Sequence, residues 1–139
     1  MPIEPDDIIF NKAAIIERSL RRVQEEYSLD PELKSYTHLD ALMLNVERAC
    51  QAAIDMAMHV TASAHLGIPQ NSADAFNLLA RNGLLSEKIA RNMVSMTGFR
   101  NIAIHEYQSL DMQVVHHVAR EGWRSLVEFC RQAGVRIEV

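Results

Sequence analysis

A chain of 139 residues with 48% hydrophobic and 23% charged residues fits one compact soluble domain able to bury a sizeable core. Only 5 glycines and 4 prolines argue against a turn-dense β fold, and a formal net charge of −4 excludes nucleic-acid binding by bulk charge alone, leaving local cations for any such contact. Cys50 and Cys130 match neither a metal spacing nor a C-x-x-C pattern, and read as reduced, buried thiols.

The first residues, MPIEPDD, are acidic and lack an apolar signal region, and no apolar run is long enough to span a membrane. Cytoplasm is therefore the expected location. A first helix is predicted from about Pro5 to Tyr27, because Ile9, Ala13, Ile16, Leu20, Val23 and Tyr27 recur in steps of four and three. Asp6 and Asp7 suit its start. After SLDPELKS a longer helix is expected from about His38 to Ala64, with Thr37 as cap and Asp40 completing a capping box. Its stripe is Leu39, Leu42, Val46, Ala49, Ala53, Met56 and Val60.

Gly67 and Pro69 stop that helix, and Ser72 is expected to cap a short third one that Gly83 ends. A fourth helix starts near Ser86, with Thr97-Gly98 as a loosening point. A last one runs from Asp111 to about Gln132, with Val115, Val118, Gly122, Leu126 and Phe129 inward. The tail GVRIEV alternates, and suits either a weak strand or a frayed end. With no repeat or linker, the pattern predicts one all-α domain over 1–139, an up-and-down bundle of four to five helices.

The stretch RNIAIHEY, Arg100 to Tyr107, concentrates the chemistry. If it is helical throughout, Asn101 and His105 are neighbours and Arg100 and Tyr107 share a side, at ~100° per residue. Histidine moves protons near neutral pH, arginine grips a phosphate with a rigid fork, and asparagine can orient either. Together they suit metal-free cleavage of RNA, with the ribose 2′-hydroxyl as nucleophile. The same residue types also cap helix carbonyls or pair with neighbours, and residue types alone leave both readings open.

Other candidates are weaker. Asp55 and His59 share one face of the second helix and are candidates to support His105 from behind, or to satisfy each other. Arg81, Lys88 and Arg91 precede the motif and are candidates for guiding RNA, or simply a solvated face. His116-His117 point apart on a helix and neither E-x-x-H nor H-E-x-x-H occurs, so no metal site is expected. No Gly-rich phosphate loop is present, and no cofactor is expected.

The motif resembles that of HEPN-domain ribonucleases, R-x4-6-H with a polar residue after the arginine, and of their HepT-like branch, R-N-x3-H-x-Y. It stands intact as Arg100, Asn101, His105 and Tyr107, and ERACQAAIDMAMHV (Glu47 to Val60) looks like the branch's long second helix. The resemblance implies a helical bundle that forms a homodimer, two motifs lining one cleft. It implies a metal-independent endoribonuclease acting as the toxin of a type VII-style toxin–antitoxin pair. Arg100, His105 and Asn101 would be catalytic. The partner would be a minimal nucleotidyltransferase antitoxin, which can nucleotidylylate the motif's tyrosine, here Tyr107. A second reading is a non-catalytic helical module that helps a nucleotidyltransferase hold its substrate; the intact histidine favours the enzyme.

Overall fold

The computed structural model describes residues 2–139. They form α1 (Asp7–Leu29), α2 (Tyr36–Ser63), α3 (Ser72–Arg81) and α4 (Glu87–His105), then a 3-10 turn at Tyr107–Ser109. A final helix begins as α5 (Met112–His117), passes through a π-helical stretch at Val118–Gly122 and continues as α6 (Trp123–Gln132). No strand occurs among the described residues, and no helix there is long and apolar enough to cross a membrane.

Side-chain caps explain most of the starts. Asp6, Asn71, Ser86 and Asp111 each accept a backbone N–H of the first turn, filling donors that a helix start leaves orphaned. The cap of α3 is Asn71 rather than Ser72, which is already helical. At α2 the Thr37 capping box does not form: the helix begins at Tyr36, and its flanking Ser35 makes no side-chain cap bond. Gly83 takes a positive φ of 73° just past α3, a conformation open to glycine at little cost.

Long-range pairs give the topology. Asp6 meets His59, Lys12 meets Asp55 and Glu26 meets His38, so α1 and α2 run antiparallel. Ser86 meets Gln132 and Asn92 meets Ser125, so α6 runs antiparallel to α4. The expected stripes of α1 and α2 are buried from Ile9 to Val23 and from Leu39 to Val60, and join Phe76, Met93, Leu126 and Phe129 in one core. Tyr27 stays half-buried at the rim, where its hydroxyl meets His116 Nδ1 at 2.8 Å. Trp123 packs partly buried on the core's edge.

Two features depart from the expected layout. Thr97-Gly98 does not loosen α4, because the helix runs unbroken through them. The tail is neither strand nor frayed: Ile137 is buried, and Glu138 is held by its carbonyl to Arg21 Nε and by its N–H to Glu17, at 2.9 and 2.8 Å.

Candidate active site

The polar cluster sits where α4 stops. Arg100, Asn101 and His105 occupy the last two turns of the helix. Ala103 is buried and ties that end to the core, while Asn101 and His105 face solvent. Ile102 and Ile104, 46% and 43% exposed, flank the polar pair with apolar surface that no other described residue covers.

Arg100 is half-buried and under-satisfied. Its Nη1 donates to Asn101 Oδ1 at 3.3 Å, a long bond. Its Nε–H is the one buried side-chain nitrogen or oxygen without a hydrogen-bond partner among the described residues. An unpaired buried donor costs free energy. A guanidinium in that condition is ready for an anion, because an arriving phosphate supplies the missing acceptors. Cys50 senses the same charge: burial pushes its thiol up to about 12, with Arg100 acting in the opposite direction. The thiol is therefore a neutral packing group.

Tyr107 is not on the helix. α4 closes at His105, whose follower Glu106 turns to φ −138°, ψ 52°, and Tyr107 opens the 3-10 turn beyond. Its hydroxyl donates to Asp40 Oδ1 on α2 at 2.5 Å. The helical placement of Tyr107 beside Arg100 is thus corrected: the ring swings to α2. Burial first, then the Asp40 hydrogen bond and the negative charges of Asp40 and Glu47, hold its phenol well above the usual range. Around it opens a groove of about 740 Å³ lined by Leu33, Lys34, Tyr36, Leu39 and Asp40.

Asp55 and His59 do not reach this site. Asp55 pairs with Lys12 at 3.2 Å and His59 with Asp6 at 2.6 Å, both on or beside α1. Both side chains are engaged away from the motif, and no hydrogen bond joins either to Arg100, Asn101 or His105 among the described residues. Lys12 on α1 and Gln51 on α2 hold Asp55, and Asp6, just before α1, holds His59, so the two do not bond each other.

Arg81 and Arg91 line one depression of about 340 Å³ between α3 and α4. Arg81 is also tied to Asp74 at 3.2 Å. Arg91 lies about 21 Å back along α4 from His105, within roughly 40° of it around an ideal helix. Lys88 is exposed one turn earlier. Arg91 thus shares the motif's face at a distance of several nucleotides, and none of the three touches the site itself. No group of three or more His, Cys, Asp or Glu among the described residues is disposed to hold a metal.

Sequence reasoning missed the role of Asp40. It lies 67 residues from Tyr107, and no local spacing links them.

Known proteins resemble this chain over most of its length. A family model described as ribonuclease HepT-like matches residues 15–133. The chain is 41% identical over 125 residues to the mRNA nuclease HepT of Shewanella oneidensis, covering 89% of this chain and 94% of that protein. It is 30% identical over 111 residues to the tRNA nuclease HepT of Aphanizomenon flos-aquae, covering 78% and 75%. Among solved structures, the tri-AMPylated Shewanella oneidensis HEPN toxin in complex with MNT antitoxin superposes with a TM-score of 0.88 at 39% identity, over 92% of this chain and 97% of that one.

Proposed function

The chain belongs to the HepT-like ribonuclease family, and from that premise we propose that it is the toxin of a toxin–antitoxin pair, cutting RNA in the cytoplasm without a metal ion. Residues 1–139 act as one domain. His105 takes the proton of a ribose 2′-hydroxyl or returns one to the leaving oxygen. Arg100 grips the scissile phosphate and stabilises the charge that builds on it. Asn101, bonded to Arg100, orients the phosphate or the imidazole. The observation that carries the reading is the under-satisfied guanidinium of Arg100 within two turns of an exposed imidazole.

The active unit in this reading is a homodimer. Arg100 and His105 stand ~140° apart around an ideal helix, so one copy converges poorly on one phosphate. Ile102 and Ile104 frame the polar pair with exposed apolar surface that a second copy would cover, bringing a second motif alongside. Arg91 and Lys88 guide the flanking RNA.

The proposed antitoxin is a small nucleotidyltransferase that modifies Tyr107. The AMPylated toxin–MNT complex of Shewanella oneidensis supports this. Each added nucleotide sets phosphate charge and bulk near Arg100 and His105, where an RNA phosphate has to bind.

The test is expression in a bacterium of the wild type, Arg100→Ala and His105→Ala, each with and without the cognate transferase. The wild type alone should arrest growth, both variants should not, and the transferase should relieve the arrest. A harmless wild type, or variants as toxic as the wild type, would overturn the reading.

A further inference from the structure

We propose that Asp40 is the residue that takes the phenolic proton of Tyr107 when the tyrosine is nucleotidylylated. The proposal rests on reading Tyr107 as the modified residue.

Three tyrosines are candidates for modification. Tyr27 is partly buried, with its hydroxyl engaged by His116 Nδ1. Tyr36 is 79% exposed and Tyr107 only 37%, and both line the same groove. Accessibility alone therefore selects Tyr36. What sets Tyr107 apart is its partner: its hydroxyl already donates to a carboxylate, Asp40 Oδ1, at 2.5 Å. A general base has to lie within hydrogen-bond reach of the proton it removes, and Asp40 meets that condition before any partner binds.

The need for a base is built into the site. Burial first, then the hydrogen bond to Asp40 and the charges of Asp40 and Glu47, disfavour a free phenolate. The proton has to leave as the new bond forms. In the balanced step, Tyr107 Oη attacks the α-phosphorus of a nucleoside triphosphate held by the transferase. The Oη–P bond forms while the bond from the α-phosphorus to its bridging oxygen breaks. Pyrophosphate departs, and the phenolic proton passes to Asp40 Oδ1. Asp40 is exposed and can release that proton to water.

The product cannot return to its starting contact. The phosphodiester oxygen has no proton to donate, and its phosphate charge faces the Asp40 carboxylate. Modification thus frees the ring from α2 and directs the adduct away from it.

The experiment uses the full chain with its nucleotidyltransferase and ATP, followed by intact mass and peptide mapping over time. Wild type should gain nucleotide on Tyr107. Asp40→Asn and Asp40→Ala should gain it about 100-fold more slowly, with rates that climb from about pH 7 to about pH 9 while the wild-type rate does not. Asp40→Glu keeps a carboxylate and should recover at least about tenfold of the loss. Retained RNA cleavage by each variant reports a folded chain. Asparagine or alanine variants modified at the wild-type rate, or a glutamate variant no faster than asparagine, would overturn the role of Asp40 while leaving Tyr107 as the target. A wild type that gains no nucleotide, or gains it at Tyr36, would overturn the reading of Tyr107 itself, and this inference with it.

Discussion

The hydroxyl of Tyr107 donates to Asp40 Oδ1 at 2.5 Å, joining the turn past α4 to the opening turns of α2. The bond holds the ring against α2, off the end of α4.

It follows that Tyr107→Phe should still cleave RNA after incubation with the transferase and ATP, whereas the wild type is silenced. The hydrogen bond removed lies at the surface and should cost no more than about 1 kcal/mol of stability. A gel-based cleavage assay before and after the incubation reads this directly. A Tyr107→Phe protein silenced as fully as the wild type would place the switch elsewhere.

The cations behind the motif have a separable effect. Arg91→Glu should raise the KM for RNA several-fold with little change in kcat, and the salt slope of binding should fall by about 1 for each phosphate that is no longer neutralised. Lys88→Glu should act in the same direction. Fluorescence anisotropy over a salt series measures both. An unchanged slope would assign these residues to solvent alone.

Much of the bundle could be read from spacing. The stripes of α1 and α2 were legible because steps of three and four residues report one buried face, and Ser86 and Asp111 because capping is a local interaction. The motif was legible for the same reason: Arg100, Asn101 and His105 lie on one continuous stretch of helix. What escaped depends on partners distant in sequence. No glycine or proline marks the end of α4, so the exit at Glu106 and the departure of Tyr107 toward Asp40 had no local signal. Asp40 read as a capping residue because Thr37 stands three before it, yet the helix had already begun. Asp55 and His59 share a face as expected, but their long-range partners, Lys12 and Asp6, come from the start of the chain. The docking of the tail likewise depends on Glu17 and Arg21, more than a hundred residues away.

Glu26 gives a pH prediction. It is buried between His38 at 2.5 Å and Arg22 at 2.8 Å, and the His38 hydrogen bond, then the Arg22 charge, hold its carboxyl below the usual range. A carboxyl lowered in the folded state contributes stability that is present above its unfolded value. That stability is lost as pH falls through the folded value. The Tm of the wild type should therefore drop from about pH 5 downward, and Glu26→Gln should show a shallower drop from a lower plateau. Parallel acid limbs in the two proteins would contradict it.

Gly134 anchors the turn into the docked tail. It holds φ at +95°, and a Cβ there would meet Pro5 Cδ at 2.9 Å and the Ile3 carbonyl at 3.3 Å. Gly134→Ala should destabilise the fold by about 1–3 kcal/mol in urea unfolding, since strain and a clash act together. A variant as stable as the wild type would show that the N-terminal segment yields freely.

The most direct measurement is of the RNA ends released by the purified protein in EDTA, with His105→Ala and Arg100→Ala in parallel. Attack by the 2′-hydroxyl predicts a 2′,3′-cyclic phosphate and a 5′-hydroxyl. Each variant should lose roughly 100-fold or more in rate, the scale of a removed acid–base or charge-stabilising group. Cleavage only with a divalent ion, or either variant cutting at the wild-type rate, would contradict a metal-free site at the end of α4.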